Sequence, residues 1–397
     1  MSTSVYTTTV RHIDDQTGME QRGKPLRTAS PSIEPRPCTA DPSWAPAHAT
    51  VGIVDDASDA RRVCQLRYRV YVHEQGKQPD GADWERGELT DSLDSFSRLW
   101  YARDGETIVG TVAQTIIGAD FDLSRLPAAL ELDRFPRSNA CPLGFSSRFA
   151  IAPDHRSTWV LPSLARYTYA YGRELGAKFD FMATNPGLVP LFERLGYVRY
   201  TASAVCTKDV GLLIPMVLPA TDYEHLRKTR SACLPATTYF PDEPEWAEWL
   251  RATHPIIGTY YESDPGHHRC GAALAARLHL PIDVATELSS MSFVHCFPAG
   301  ALLRREGDRA TCTFMAIHGR LNVDLPHSDT SPAAACAPDG VAFSRVTIGC
   351  ETDAAVLCVP DTAVARIKRR YPEHAACLQQ LPVHTAAPDG QAGRMLR

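Results

Sequence analysis

What the 397 residues lack narrows the field first. No apolar run approaches the roughly 20 residues that a membrane-spanning helix needs. The longest, Leu212 to Leu218, is interrupted by Pro215 and closed by Pro219. No charge of one sign prevails: 41 Lys+Arg face 46 Asp+Glu, for a formal net charge of -5. That balance excludes a protein relying on a basic surface to hold nucleic acid. The 12 cysteines stand singly, without a Cys-x-x-Cys pair, so a zinc ribbon and a thioredoxin-type motif are both missing. The metal-like grouping His267-His268-Arg269-Cys270 has no second ligand pair at zinc spacing. It reads as a chance pair in a loop, and no metal site is expected. The opening residues Met1 to Thr7 show no basic stretch leading into an apolar core. The expected location is therefore the cytoplasm, with reduced thiols.

Glycine is outnumbered by proline, 25 to 30, and the prolines fall in two groups. Pro25, Pro31, Pro35, Pro37, Pro42 and Pro46 punctuate a polar opening stretch. Proline fixes φ and offers no amide donor, so residues 1–48 are expected to be a disordered leader. Pro215, Pro219, Pro235, Pro241 and Pro244 mark a second, linker-like stretch. The expected division is a leader at 1–48, an α/β domain at 49–215, a linker with helices at 216–280, a β-rich domain at 281–380 and a flexible tail at 381–397. The second proline group reads as a semi-rigid joint holding the two domains apart.

Between the proline groups the pattern is that of a mixed α/β sheet with flanking helices. Val51 to Val54 suggests a strand, and Asp59 to His73 carries apolar residues at helical spacing. Leu99 to Arg103, a turn at Asp104-Gly105, and Thr107 to Ile117 predict a hairpin. Ser146 to Ile151 predicts a strand, Leu161 to Leu175 a helix closed by Gly176, and Phe179 to Thr184 a strand. Leu188 to Leu195 is a short helix closed by Gly196; Tyr197 to Tyr200 and Val205 to Thr207 read as final strands. A helix follows with Trp246, Trp249 and Leu250, and Ala272 to Leu288 gives one or two more. From Phe293 onward, short strands and turns predict a β-roll with flanking helices, ending in a helix at Asp361 to Arg370.

Ser147-Arg148-Phe149-Ala150-Ile151-Ala152-Pro153-Asp154-His155-Arg156, then Asn185-Pro186, then Leu191-Phe192-Glu193-Arg194-Leu195-Gly196-Tyr197 resembles, in order and spacing, the GNAT acyltransferase superfamily. The hairpin through Val109-Gly110-Thr111 fits that fold's central meander. Arg67-Tyr68-Arg69-Val70-Tyr71-Val72-His73-Glu74, Trp84 and Asp91-Ser92-Leu93-Asp94 are similar, within it, to the acyl-homoserine-lactone synthases and N-acyl amino acid synthases. The resemblance implies transfer of a fatty acyl group from acyl carrier protein, or from acyl-CoA, to a small-molecule amine, with amino acids the expected acceptor class and no tightly bound cofactor. Three departures from the lactone synthases stand out: Phe145 replaces a glutamate, Thr111-Val112-Ala113-Gln114 follows Gly110 where the family runs Gly-x-x-Arg, and Trp159 and Leu161 replace two donor-loop glycines.

The resemblance carries roles onto this chain. An attacking amine must be neutral, and a carboxylate or a water it holds can take the proton. Glu74, Glu88, Asp91 and Asp94 precede the hairpin that lines the cleft, with Asp94 the first choice. Arg148 can clasp an acceptor carboxylate through its planar fork. The strand amides of Phe149, Ala150 and Ile151 are expected at the oxyanion. Arg67, Tyr71, Trp84, Asn185 and Phe192 complete the expected substrate site. The family's acid tyrosine is Phe192 here, which has no proton to give, leaving Tyr197, water or an unassisted thiolate. Arg156, Ser157 and Thr158 form the expected donor loop. Trp159 and Leu161 crowd it against a pyrophosphate, favouring a carrier protein over coenzyme A. Arg166 and Arg173, seven apart on the next helix, supply the basic face such a partner would need.

Phe297-Pro298-Ala299-Gly300, Arg305-Glu306-Gly307-Asp308 and Phe314 to Val323 resemble a cyclic-nucleotide-binding domain. Its phosphate cassette would fall at Asp339 to Arg345, where the family's Gly-Glu is missing, implying a lapsed or altered pocket. The roll is expected to regulate the enzyme or mediate homo-oligomer formation. Two other readings stay open: a non-catalytic ligand sensor built from degenerate domains, and a cyclic-nucleotide-gated lysine acetyltransferase using acetyl-CoA, against which the missing loop glycines count.

Overall fold

The structure, a computed structural model, describes residues 48–207, 210–261, 265–308, 311–324 and 346–379. The expected leader, the tail beyond 379 and the cassette at Asp339 to Arg345 lie outside them. Strand β1 (Ala49–Ile53) leads into helix α1 (Ala57–Tyr68). Asp56 caps α1 by accepting the Asp59 amide at 2.8 Å. The helix continues as a wider, π-helical stretch through Arg69–Glu74. A small ribbon, β2 (Ala82–Asp83) and β3 (Glu88–Leu89), precedes the hairpin of β4 (Ser97–Asp104) and β5 (Thr107–Ile117). Then come β6 (Leu143–Ile151), α2 (Val160–Glu174), β7 (Phe179–Thr184), α3 (Val189–Arg194), β8 (Val205–Thr207) and β9 (Gly211–Pro219). Seven strands make one mixed sheet in the order β1-β4-β5-β6-β7-β9-β8. Only the β6–β7 pair is parallel, joined by α2 as crossover. Residues Tyr197 to Tyr200 contribute only a bridge, between Val198 and Val217.

Helices α1 and α2 cover opposite faces of the β4–β5 hairpin. Val63, Leu66 and Val70 meet Ile108 and Ala150 on one face. Val160, Leu164 and Tyr171 meet Trp100, Ala102 and Val112 on the other. Gly110 makes the second contact close: a Cβ there would run into Val160.

The stretch expected to be a linker is instead packed structure. Pro215 lies inside β9, where it pairs with Ala183 of β7. It sits beyond the short β8 ladder, so its missing amide leaves no strand hydrogen bond unmade. After β9 come α4 (Tyr223–Lys228), α5 (Pro244–Thr253), α6 (Ile256–Tyr261) and α7 (Pro265–Leu278). The His267-His268 pair thus falls in helix α7 rather than in a loop. Trp246, Trp249, Leu250 and Ile257 pack onto the sheet face formed by Phe179, Phe181 and Val217.

Helix α8 (Ile282–Ser290) opens the C-terminal region. Its strands are β10 (Phe293–Phe297), β11 (Leu302–Arg304), β12 (Cys312–His318), β13 (Leu321–Asp324), β14 (Thr347–Cys350) and β15 (Ala354–Pro360). They form two antiparallel three-stranded sheets, β10-β15-β12 and β11-β14-β13. Helices α9 (Asp361–Arg370) and α10 (Ala375–Gln379) follow. Small antiparallel sheets with helices are what stands where a β-roll was expected. No described helix is long and apolar enough to cross a membrane.

The two halves are not held apart. Leu212, Ile214, Met216 and Leu218 alternate on one face of β9, and Phe192 lies nearby on α3. They share one continuous core with Phe293, Phe297, Leu303, Phe314 and Val356 of the C-terminal sheets. Buried Arg199 spans the seam. Its Nε donates to Glu193 at 2.9 Å and its Nη1 to the Val294 carbonyl. Its guanidinium lies 4.5 Å from the Tyr260 ring centroid and 4.9 Å from that of Phe293. Beyond it, His295 has no exposure to water. It stacks on Tyr260 at 5.2 Å, with neither ring nitrogen bonded among the described residues. Burial, and secondarily Arg199, pushes its pKa well down.

Three outcomes follow. Arg199→Leu should cost about 3 kcal/mol, the scale for breaking a buried pair, and calorimetry of the wild type should show both halves melting in one transition. Survival of the sheet domain after a separate first transition would contradict the shared core. Below pH 6.5 an unfolded His295 takes up a proton that the folded one refuses, so its contribution is full above that pH and lost on acidification. The urea midpoint should therefore drop further between pH 7.5 and 5.5 in the wild type than in His295→Phe.

Candidate acyl-transfer site

The cleft follows from a change in strand spacing. Strands β6 and β7 pair only at Gly144 with Asp180 and Phe145 with Phe181, and their ladder then ends. On the other edge, the β5–β6 register slips between Thr111/Ala150 and Ala113/Ser147, giving β6 one extra residue. That bulge holds Arg148, whose φ is +53°, a left-handed backbone rarely adopted by a non-glycine residue. The residues expected at the oxyanion, Phe149, Ala150 and Ile151, lie just past it.

The bulge aims Arg148 at a chain of charges. Arg148 Nε donates to Asp91 Oδ2. Asp91 Oδ1 accepts the Leu93 amide at 2.8 Å, and the Asp91 amide donates to Asp94 Oδ2 at 2.8 Å. Arg67 Nη1 reaches both Asp94 oxygens, at 2.9 and 2.8 Å. Arg67 is 0% exposed, and its Nε and Nη2 have no partner among the described residues. Tyr71 donates to the Phe149 carbonyl at 2.8 Å, and its ring lies 5.7 Å from the Arg148 guanidinium. Arg67, Tyr71, Asp91, Asp94, Arg148 and Phe149 are thus brought together.

Their electrostatics limit what each can do. Burial opposes ionisation of Asp91, but Arg148, the Leu93 amide and Arg67 outweigh it and hold its carboxyl below the usual range. Burial likewise works against the Arg148 charge, and Asp91 and Tyr71 more than restore it. Burial, partly offset by Arg148 and Arg67, pushes the Tyr71 phenol up, so it remains a donor. Asp91 is therefore a fixed anion and a weak base, and both Asp94 oxygens are already engaged.

Other expected residues lie elsewhere. Glu88 pairs with exposed Arg61 at 2.6 Å. Trp84, on the β2–β3 ribbon, is 59% exposed and meets the Tyr68 ring edge-on at 5.8 Å. Phe192 is 3% exposed, packed between the rings of Phe149 and Tyr197. Asn185 lies at the end of β7, where its Oδ1 accepts from the Gly187 amide at 3.0 Å and from Thr311 Oγ1 of the C-terminal region at 2.6 Å.

In the donor loop, Glu74 closes on Arg156 with paired contacts of 2.6 and 2.5 Å. Ser157 takes a left-handed φ of +60°, and Thr158 Oγ1 donates to the His155 carbonyl. The loop thus makes its left-handed turn without glycine. Trp159 does not crowd the loop as expected: it is 8% exposed and turned into the core beside Trp100 and Leu164. This removes part of the sequence case against coenzyme A.

The expected basic face on α2 is absent. Arg166 and Arg173 are buried, because the segment after β9 folds over them. Arg166 Nε donates to the Ala232 carbonyl, and Arg173 bonds the Pro241 carbonyl and Glu243.

Sequence reading also missed a buried carboxyl. Asp180 accepts the Tyr197 hydroxyl at 2.5 Å, and burial pushes its pKa up to about 6. Its signal was an aspartate inside the apolar strand Phe179-Asp180-Phe181-Met182. That bond also engages Tyr197, the tyrosine available once Phe192 replaces the family's acid.

Residues 62–220 match the family model described as "N-acyl amino acid synthase FeeM". Among solved structures, FeeM, an N-acyl amino acid synthase from uncultured soil microbes, is 16% identical, covering 46% of this chain and 97% of its own, with a TM-score of 0.38. The acyl-homoserine-lactone synthase LasI is 16% identical, covering 44% and 90%, with a TM-score of 0.36. BjaI, a CoA-dependent acyl-homoserine-lactone synthase with bound SAM and isopentyl-CoA, is 13% identical, covering 46% and 90%, with a TM-score of 0.38. No curated protein matches. The similarity to N-acyl amino acid synthases thus lies in residues 62–220, and the family model does not extend into the C-terminal region.

Removing Asp94 strands the Arg67 charge away from water. Asp94→Ala should cost about 3–5 kcal/mol, whereas Glu88→Ala, which breaks a largely exposed pair, should cost at most about 1 kcal/mol. Urea unfolding measures both, and equal losses would contradict the buried pairing.

Proposed function

We propose that this chain moves a fatty acyl group from a thioester, borne by acyl carrier protein or coenzyme A, to the amine of an amino acid. The observation that carries this reading is the Arg67–Asp94–Asp91–Arg148 chain set beside the open β6–β7 edge. Arg148, held by Asp91, meets the acceptor carboxylate, with the unused Arg67 donors behind it. The acceptor nitrogen attacks the thioester carbon, and amides of Phe149 to Ile151 receive the negative oxygen. A water held at the Asp91–Asp94 pair takes the amine proton, because Asp91 alone is a weak base. The carbon–sulfur bond then breaks. The thiolate draws its proton from water, since Phe192 has none and Tyr197 donates to Asp180. The Thr311–Asn185 contact gives the C-terminal region a route to regulate donor binding.

The test is lipid extraction and mass spectrometry from bacteria expressing the full chain. Long-chain N-acyl amino acids should accumulate with the wild type. They should fall by on the order of 100-fold in Arg148→Ala and Asp91→Asn, at matched protein levels and folded state. No new lipid, together with no thioester consumption by purified protein, would sink the proposal and favour the non-catalytic ligand sensor.

A further inference from the structure

A groove of about 550 Å³ runs beside the helix face that carries Arg62, Gln65, Arg69 and His73. Its opposite wall is the β4–β5 turn, and Arg86 of the β2–β3 ribbon closes one side. The spacing of these α1 residues, three to four apart, places them on one face of the helix and its π-helical continuation. That face is not the one that turns Arg67 toward Asp94. Among the described residues, Arg69 has no ion-pair partner. Arg62 and Arg86 make only loose pairs, 3.7 Å from Asp59 and 3.8 Å from Asp83. Three guanidinium groups and a histidine thus line the groove against one carboxylate, Glu106.

Both walls are tied to the donor loop. Glu74, next to His73, grips Arg156. Asp104, at the turn, meets His155 Nε2 at 3.0 Å. A partner seated on this groove therefore rests beside residues that hold the loop and its flank, Glu74 next to His73 and Asp104 two positions from Glu106.

We propose that this α1 face, rather than α2, docks the acidic helix of an acyl carrier protein and delivers its thioester arm past Arg156 into the cleft. The inference rests on the acyl-transfer reading above and names its donor. Charge complementarity selects the partner: exposed arginines in a row, two of them only loosely paired, match a row of carboxylates, in a chain whose net charge would otherwise repel an acidic protein. With Arg166 and Arg173 buried, α2 offers no such row.

The test uses the purified full chain and three donors with one acyl group: acyl carrier protein, acyl-CoA and acyl-pantetheine. In Arg69→Glu and Arg62→Glu/Arg69→Glu, KM for the carrier-protein donor should rise on the order of tenfold or more, with kcat nearly unchanged. KM for acyl-CoA and acyl-pantetheine should not move. Added salt should weaken the wild type toward the variants. An equal rise for acyl-CoA would assign the groove to nucleotide phosphates and overturn the docking proposal, as would an unchanged carrier-protein KM. If no donor is consumed, the acyl-transfer reading fails, but anisotropy of a fluorescently labelled carrier protein still decides the surface. Binding lost in Arg69→Glu supports it, and binding that is absent or indifferent to that change overturns it.

Discussion

A guanidinium sealed from water must be answered by an anion, and that demand on Arg67 organises the active half of the molecule. Arg67 projects from α1, while Asp94 lies just before β4, so their pairing clamps the first helix to the meander. Asp94 accepts the Asp91 amide, which sets the turn, and Asp91 then receives Arg148. Arg148 can reach it only because the β6 bulge puts its backbone in a left-handed conformation. That bulge is also what shifts β6 out of register where its β7 ladder stops. Charge placement and sheet geometry are therefore one constraint: neither the cleft nor the arginines could be moved without the other.

Much of this was legible because alternation and glycine placement are local signals. Phe179 to Thr184 reads as a strand and is one, and Gly176 and Gly196 close α2 and α3 with positive φ. The members of the charge chain were also legible, because their types and order resemble a known pattern. What they do to one another was not. The resemblance implied Asp94 as a base, whereas the structure fills both its oxygens with donors.

The errors share a physical cause, namely burial supplied from far along the chain. Arg166 and Arg173 do lie together on α2, but helical periodicity says nothing about what covers a face. Ala232, Pro241 and Glu243 cover this one. Trp159 looked obstructive because its ring's direction depends on Trp100, some sixty residues earlier. Pro215 looked like punctuation because proline usually ends a ladder, yet the gap between the β8 ladder and the Val198–Val217 bridge tolerates it. The C-terminal region was read as an appendage because turn-rich composition marks strands, not the surface they bury against.

That shared surface has a consequence for how the chain is made. The face of β9 that carries Leu212, Ile214 and Met216 leaves the ribosome well before its cover, which is complete only at Pro360. At about 5–20 residues per second, the uncovered interval lasts on the order of ten seconds. Throughout it the flank that Phe293, Phe297, Phe314 and Val356 will bury has only the cover that α2, α3 and α4 supply. The two halves made from separate messages would meet the same exposure without a tethered cover to end it.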